Sequence, residues 1–110
     1  MNNLEQIVME LVVNGGNARS MAMKAITAAQ SKNYELAAEN IQQCNLALNR
    51  AHEFQTGILQ EEAGESGQTP ISLIMVHGQD HLMNAITIRD LAIQMIEMYK
   101  VIYKEKEEQL

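Results

Sequence analysis

The chain has one cysteine, one proline and no tryptophan in 110 residues, and only 4% of it is aromatic. A lone Cys44 cannot close an internal disulfide and fits a reducing compartment. It sits in a helical apolar pattern with no basic neighbour in sequence, so it reads as a small buried residue. With one proline, little interrupts long helices, and Ala, Leu, Met, Gln and Glu, all good helix formers, are plentiful. Basic residues are also scarce, with 8 Lys and Arg against 14 Asp and Glu and a net charge of −6. With no basic cluster, the chain repels a phosphate backbone, which excludes nucleic acid as a partner. No apolar run reaches the roughly 18 residues of a membrane span. The start, Met1-Asn2-Asn3-Leu4-Glu5, lacks the basic segment of a signal peptide. The expectation is a cytoplasmic chain, 46% apolar and 20% charged, forming a single domain over 1–110 with one modest core.

Three helical segments follow from hydrophobic periodicity. The first covers about 3–31, with Leu4, Ile7, Val8, Leu11 and Val12, then Ala18, Met21, Ala22, Ala25, Ile26 and Ala29. Asn14-Gly15-Gly16-Asn17 interrupts it, which predicts a kinked or broken helix with Asn17 capping a restart. The two glycines are read equally as a plain kink and as a place where another backbone comes close. The second segment covers about 33–63, capped by Ser31 or Asn33. Its stripe includes Tyr34, Ala37, Ala38, Ile41, Cys44, Leu48, Ala51, Gln55, Ile58 and Leu59, with His52 on or beside it as a structural histidine. Residues 64–69, rich in Gly, Ser and Glu, read as a loop. Thr69 as cap and Pro70 as first residue open a third helix over about 70–108. The fold expected is all-α, an antiparallel three-helix bundle.

The third helix is apolar on most sides. Ile74, His77, His81, Asn84, Ile88, Leu91, Met95, Met98 and Ile102 advance by threes and fours, a coiled-coil seam. Leu82, Ile86, Ile93, Ile96 and Tyr103 form a second stripe. Leu73, Val76, Asp80 and Met83 begin a third. Two helices of one short chain cannot cover all three, so this helix is expected to pack against other subunits as well.

His77 and His81 share a face, and Asp80 projects near them, within an otherwise apolar stretch. Gly78 removes a side chain beside His77 and leaves room for an approaching group. Three chemistries remain open on the residues alone. The histidines are a hydrogen-bonded pair in a core. Or His77, His81 and Asp80 bind a metal in a non-enzymatic helical oligomer. Or His77 is a nucleophile that holds a phosphoryl group as a phosphoramidate, with a neighbouring His or Gln bonding the phosphate oxygens.

His77-Gly78-Gln79-Asp80-His81-Leu82-Met83 closely resembles the active-site segment of IIA components of lactose/cellobiose-type sugar phosphotransferase systems. Gly16-Asn17-Ala18-Arg19-Ser20 resembles that family's element in helix one. Ala51-His52 with Gln55-Thr56-Gly57 resembles its helix-two signature. The three elements occur in order and fit essentially the whole chain. The resemblance implies a three-helix protomer in a homotrimer and favours the phosphoryl-carrier reading. It implies that His77 takes a phosphoryl group from HPr and passes it to the cysteine of a IIB component. The sugar is then phosphorylated during import through the membrane IIC component. Gln79 and His81 match positions that orient the histidine or its phosphate. Asp80 matches an aspartate at the trimer axis, where three copies gather around Mg2+ or another divalent cation. No organic cofactor is implied. Ile74, Met75 and Met83 are expected to form an apolar contact surface for HPr and IIB. Lactose, cellobiose, chitobiose and aromatic β-glucosides all stay open as the sugar, which a IIA component does not touch.

Overall fold

Small side chains decide which helix lies in the middle. In the computed structural model, which describes residues 3–62 and 71–109, the chain forms α1 (Asn3–Gln30), α2 (Tyr34–Glu62) and α3 (Leu73–Gln109). The bundle is slender, 66 × 23 × 20 Å. α1 is packed on two sides, by α2 running antiparallel and by α3 running parallel to it, while α2 and α3 touch each other far less. A helix squeezed from two sides must carry little bulk on those sides. Ala18, Ala22, Ala25, Ala28 and Ala29 are its buried residues in the upper half, below which Val8, Leu11, Asn14 and Gly15 are buried. Leu11, Leu48, Leu82 and Cys44 are the largest fully buried side chains. Burying each leucine is worth about 1.5–3 kcal/mol. Buried Asn14 keeps its amide satisfied by donating to the Glu10 carbonyl at 2.8 Å and the Glu10 carboxylate at 2.9 Å.

The α1–α2 turn is closed by main-chain bonds. Asn33 N donates to Ala28 O at 2.9 Å and Lys32 N to Ala29 O at 3.0 Å, with Lys32 left-handed at φ 62°. That pattern satisfies the last free carbonyls of α1. Asn33 then caps α2, its side-chain oxygen accepting from Leu36 N at 3.2 Å, so Asn33 rather than Ser31 is the cap. At the same end Tyr103 donates to the Gln30 carbonyl at 2.7 Å, fixing the top of α3 to the end of α1.

Two expectations are corrected here. α1 is not broken at Gly15-Gly16: it is helical through both, and Asn17 lies inside the helix and caps nothing. The reason is tertiary. A Cβ on Gly15 would stand 3.1 Å from the carbonyl carbon and oxygen of His81 and 3.3 Å from Leu82 N. Gly15 is therefore where the α3 backbone comes close, and the packing this permits outweighs the weak local propensity. The start of α3 is also later than Pro70. Ser72 caps it, its hydroxyl accepting from Met75 N at 3.2 Å. Thr69, Pro70 and the 64–69 loop lie outside the described residues.

The face of α3 turned into its own chain is not the one carrying the histidines. Met75, Gly78, Leu82, Ala85, Ala92 and Ile96 are buried, with Arg89, Tyr99 and Tyr103 half-buried on the same line. These positions also advance by threes and fours, so α3 carries two heptad seams. The seam read from the sequence, Ile74 to Ile102, is exposed apart from half-buried His81 and Ile88.

Gly16 has nothing within 4 Å of a Cβ position. Gly16→Ala should therefore stabilise the fold by about 0.5–1 kcal/mol through helix propensity. Gly15→Ala should destabilise it by about 1 kcal/mol, because buried helix backbone cannot yield as a side chain does. In urea melts the two midpoints should move in opposite directions. Midpoints moving together would mean that the α1–α3 crossing does not require a glycine at 15.

Candidate active site

Seating of the α3 backbone on Gly15 sets the direction of the whole 77–81 turn. Positions 78 and 82 then point into the bundle and 77 and 80 away from it. His77 and Asp80 are exposed, and His81 is half-buried. The two imidazoles meet edge to face, with ring centroids 4.5 Å apart and planes at 82°. That geometry suits the ring quadrupoles and leaves His77 open to an incoming molecule. Among the described residues no hydrogen bond ties down either ring, so both nitrogens of His77 are free for chemistry or recognition.

Gly78 does not clear space beside His77 as expected. A Cβ there would lie 3.3 Å from Val8 Cγ1 and 3.5 Å from Leu11. The missing side chain lets α1 pack against the turn. Gln79 leaves the helix about 200° around from His77. It faces α2, where its carbonyl accepts from Gln55 Nε2 at 2.8 Å. The structure thus joins His77 with His81 and sets Gln79 apart from them. Gln55 was legible as a member of the helix-two stripe and of the helix-two resemblance, and its partner 24 residues on was not. Of the apolar contact residues expected around His77, Ile74 and Met83 are exposed and Met75 is buried.

Asp80 lies among exposed apolar side chains, Leu73, Val76 and Met83. His77, His81 and Asp80 do not form a metal site within one chain: among the described residues no three His, Cys, Asp or Glu side chains are grouped to hold an ion. The reading as a metal-binding helical oligomer through these three side chains is not supported. His52 is exposed on α2. Cys44 is enclosed by core side chains, and burial raises its thiol pKa, while the Arg89 guanidinium partly offsets the rise. The basic neighbour missing in sequence is supplied in space by α3, where Arg89 donates to Asn45 at 2.9 Å across the α2–α3 gap.

An exposed His77 set edge to face against a half-buried His81, on a helix face that keeps apolar side chains exposed, is an open site suited to meeting another macromolecule rather than enclosing a small substrate. The family model for the lactose/cellobiose-specific IIA subunit of the phosphotransferase system matches residues 6–100. The lichenan-specific phosphotransferase enzyme IIA component of Bacillus subtilis (strain 168) is 45% identical over 103 residues, 94% of this chain and 93% of that one. The crystal structure of the cellobiose-specific enzyme IIA from Bacillus anthracis superposes with a TM-score of 0.90 at 43% identity, covering 94% of each chain. The solution structure of an IIA(chitobiose)–HPr complex gives a TM-score of 0.82 at 36% identity, covering 94% of this chain and 99% of that one. The chain belongs to the lactose/cellobiose family of phosphotransferase-system IIA components, which carry phosphate. No helix among the described residues is long and apolar enough to cross a membrane.

Cys44 should be inert to an aromatic disulfide reagent in the native protein at pH 8 and titrate as one thiol per chain in denaturant. Rapid native reaction would mean the core around Leu48 and Leu82 opens readily.

Proposed function

We propose that His77 is the phosphorylated residue of this IIA component, and the observation that carries it is its exposed ring set edge-on against His81. The His77 lone pair attacks phosphorus, and a P–N bond forms as the donor's bond to phosphorus breaks. The electron pair of the broken bond stays on the donor. His81 can donate an N–H to a phosphate oxygen. The second step reverses the roles, with a cysteine thiolate of a IIB component as nucleophile and His77 as leaving group. Positioning and charge stabilisation are the main catalytic contributions in such transfers. Gln79, bonded to Gln55, acts on His77 only by holding α3 to α2.

The donor is HPr, a reading supported by the similar IIA(chitobiose)–HPr complex. Sugar phosphorylation through the membrane IIC component follows indirectly, and the chain works in the cytoplasm. Relatives named for lichenan, cellobiose and chitobiose resemble this chain over most of its length, consistent with a relay that does not contact the sugar.

The protein works as a homotrimer through the outer face of α3. Leu73, Val76, Met83, Leu91, Met98 and Ile102 are all exposed there, an apolar expanse too long for a free surface. Asp80 lies within it without a partner of its own among the described residues. Three such carboxylates on an axis repel unless protonated or neutralised, and their hard oxygens suit Mg2+ or another divalent cation.

Incubation with phosphoenolpyruvate, enzyme I and HPr should add one phosphoryl group to the intact mass, labile in acid and stable in base. His77→Ala should gain none. No gain by the wild type with competent HPr would overturn the relay. Asp80→Leu removes the like charges and should leave a trimer at least as stable as the wild type on sedimentation. A monomeric Asp80→Leu would place the carboxylate away from the axis.

A further inference from the structure

His81 closes one end of an open groove of about 890 Å3 whose floor is α1, lined there by Gly16, Arg19, Ser20 and Lys24. We propose that Arg19 completes the phosphoryl site from α1, reaching along this groove to bind the phosphoryl group on His77; this rests on His77 being the phosphorylated residue.

Three features of the groove point the same way. The first is direction. Arg19 is four residues past Gly15, which touches the His81 backbone, so the two share a face of α1. Helical side chains lean toward the N-terminus, which carries Arg19 back over Gly15 and Gly16 to the His81 end. The second is clearance. Gly15 and Gly78 are explained by helix contacts, but a Cβ on Gly16, as on Gly57 of α2, would meet nothing within 4 Å. A mid-helix glycine that packs against nothing costs stability. Its effect is to keep the groove open along the path from Arg19 to His81.

The third is charge. In a chain of net charge −6, no acidic residue occurs between Glu10 and Glu35. Lys32, Arg50, Arg89 and Lys100 each have a carboxylate partner. Of the four cations with no such partner among the described residues, Lys104 and Lys106 lie near the end of α3, and Arg19 and Lys24 both line this groove. A phosphoryl group on His77 brings nearly two negative charges close to Asp80. One imidazole N–H from His81 offsets little of that. A guanidinium fork offers two parallel N–H donors to phosphate oxygens and keeps its charge at every working pH. Ser20 adds a hydroxyl to the same wall. Lys24 lies more than a turn farther along α1 and contributes through the field rather than by contact.

The test compares wild type, Arg19→Gln, Arg19→Lys and Lys24→Gln, all charged from phosphoenolpyruvate through enzyme I and HPr. Arg19 is exposed, so its variants should fold, which circular dichroism verifies. Arg19→Gln should accept phosphate with kcat/KM about 10–100-fold lower. In 31P titrations the apparent pKa of its phosphoryl group should rise by about one unit, because the dianion has lost a cation. Arg19→Lys should restore the titration but only part of the rate, and Lys24→Gln should change the rate by about threefold or less. A 31P titration of Arg19→Gln superimposable on wild type, with wild type charging normally, would overturn the assignment of Arg19 alone. A wild type that takes up no phosphate would overturn the His77 reading, and this one with it.

Discussion

At Gly15 the backbones of two helices come as close as the fold allows. The His81 carbonyl lies where a side chain of α1 would otherwise stand, and this one contact sets both the height and the rotation of α3. With α3 seated there, Gly78 presses on Val8 and Leu11 one turn below, and Leu82 enters the core beside Leu11, Cys44 and Leu48. Tyr103 reaches the Gln30 carbonyl at the far end. Rotating α3 by a single residue, about 100°, would break all of these together. It would also turn His77 out of its exposed position. The site's accessibility is thus a consequence of backbone packing on the opposite face of the same helix.

The two heptad seams of α3 divide the work. The inner seam, from Met75 to Tyr103, builds the protomer, and its Gly78, Ala85 and Ala92 alternate with larger side chains, which suits close approach to an alanine-rich α1. The outer surface keeps its large apolar residues exposed and places the histidine pair and Asp80 at one end. A helix with one seam would make a complete bundle and leave no apolar face exposed. The cost is a wide α2–α3 gap, bridged by polar bonds, Gln55–Gln79 and Arg89–Asn45. These bonds keep α2 aligned without the bulk that would push α3 off Gly15.

The charge distribution is as uneven as the packing. Four of the eight Lys and Arg of this acidic chain are paired with carboxylates, whereas Arg19 and Lys24, along the α1 groove that His81 closes, have no such partner among the described residues. Exposed ion pairs contribute little stability, so the arrangement matters more for where positive potential survives than for holding the bundle together. It survives along the groove that His81 closes.

Helix number, approximate extents and the importance of the 77–81 segment were legible from the chain, because helical periodicity and a polar cluster in an apolar run are local signals. The second glycine reading at 15, a close backbone, was also available, although the chain could not choose it over a kink. Propensity and tertiary contact predict opposite outcomes there, and only the partner helix decides. The same holds for Gly78, whose neighbour proved to be α1 rather than an incoming ligand, and for Gln79, turned to Gln55 by the helix rotation. The inner seam was read only in part, through Leu82, Ile96 and Tyr103 of the second stripe, because its alanines, glycine and arginine are not conspicuous as a hydrophobic stripe, while the outer one is. The sequence by itself determined that there would be helices, and that two histidines and an aspartate would fall within one turn of an otherwise apolar stretch. The tertiary structure decided which face of α3 looks outward, because that depends on one backbone-to-backbone contact between residues 66 positions apart.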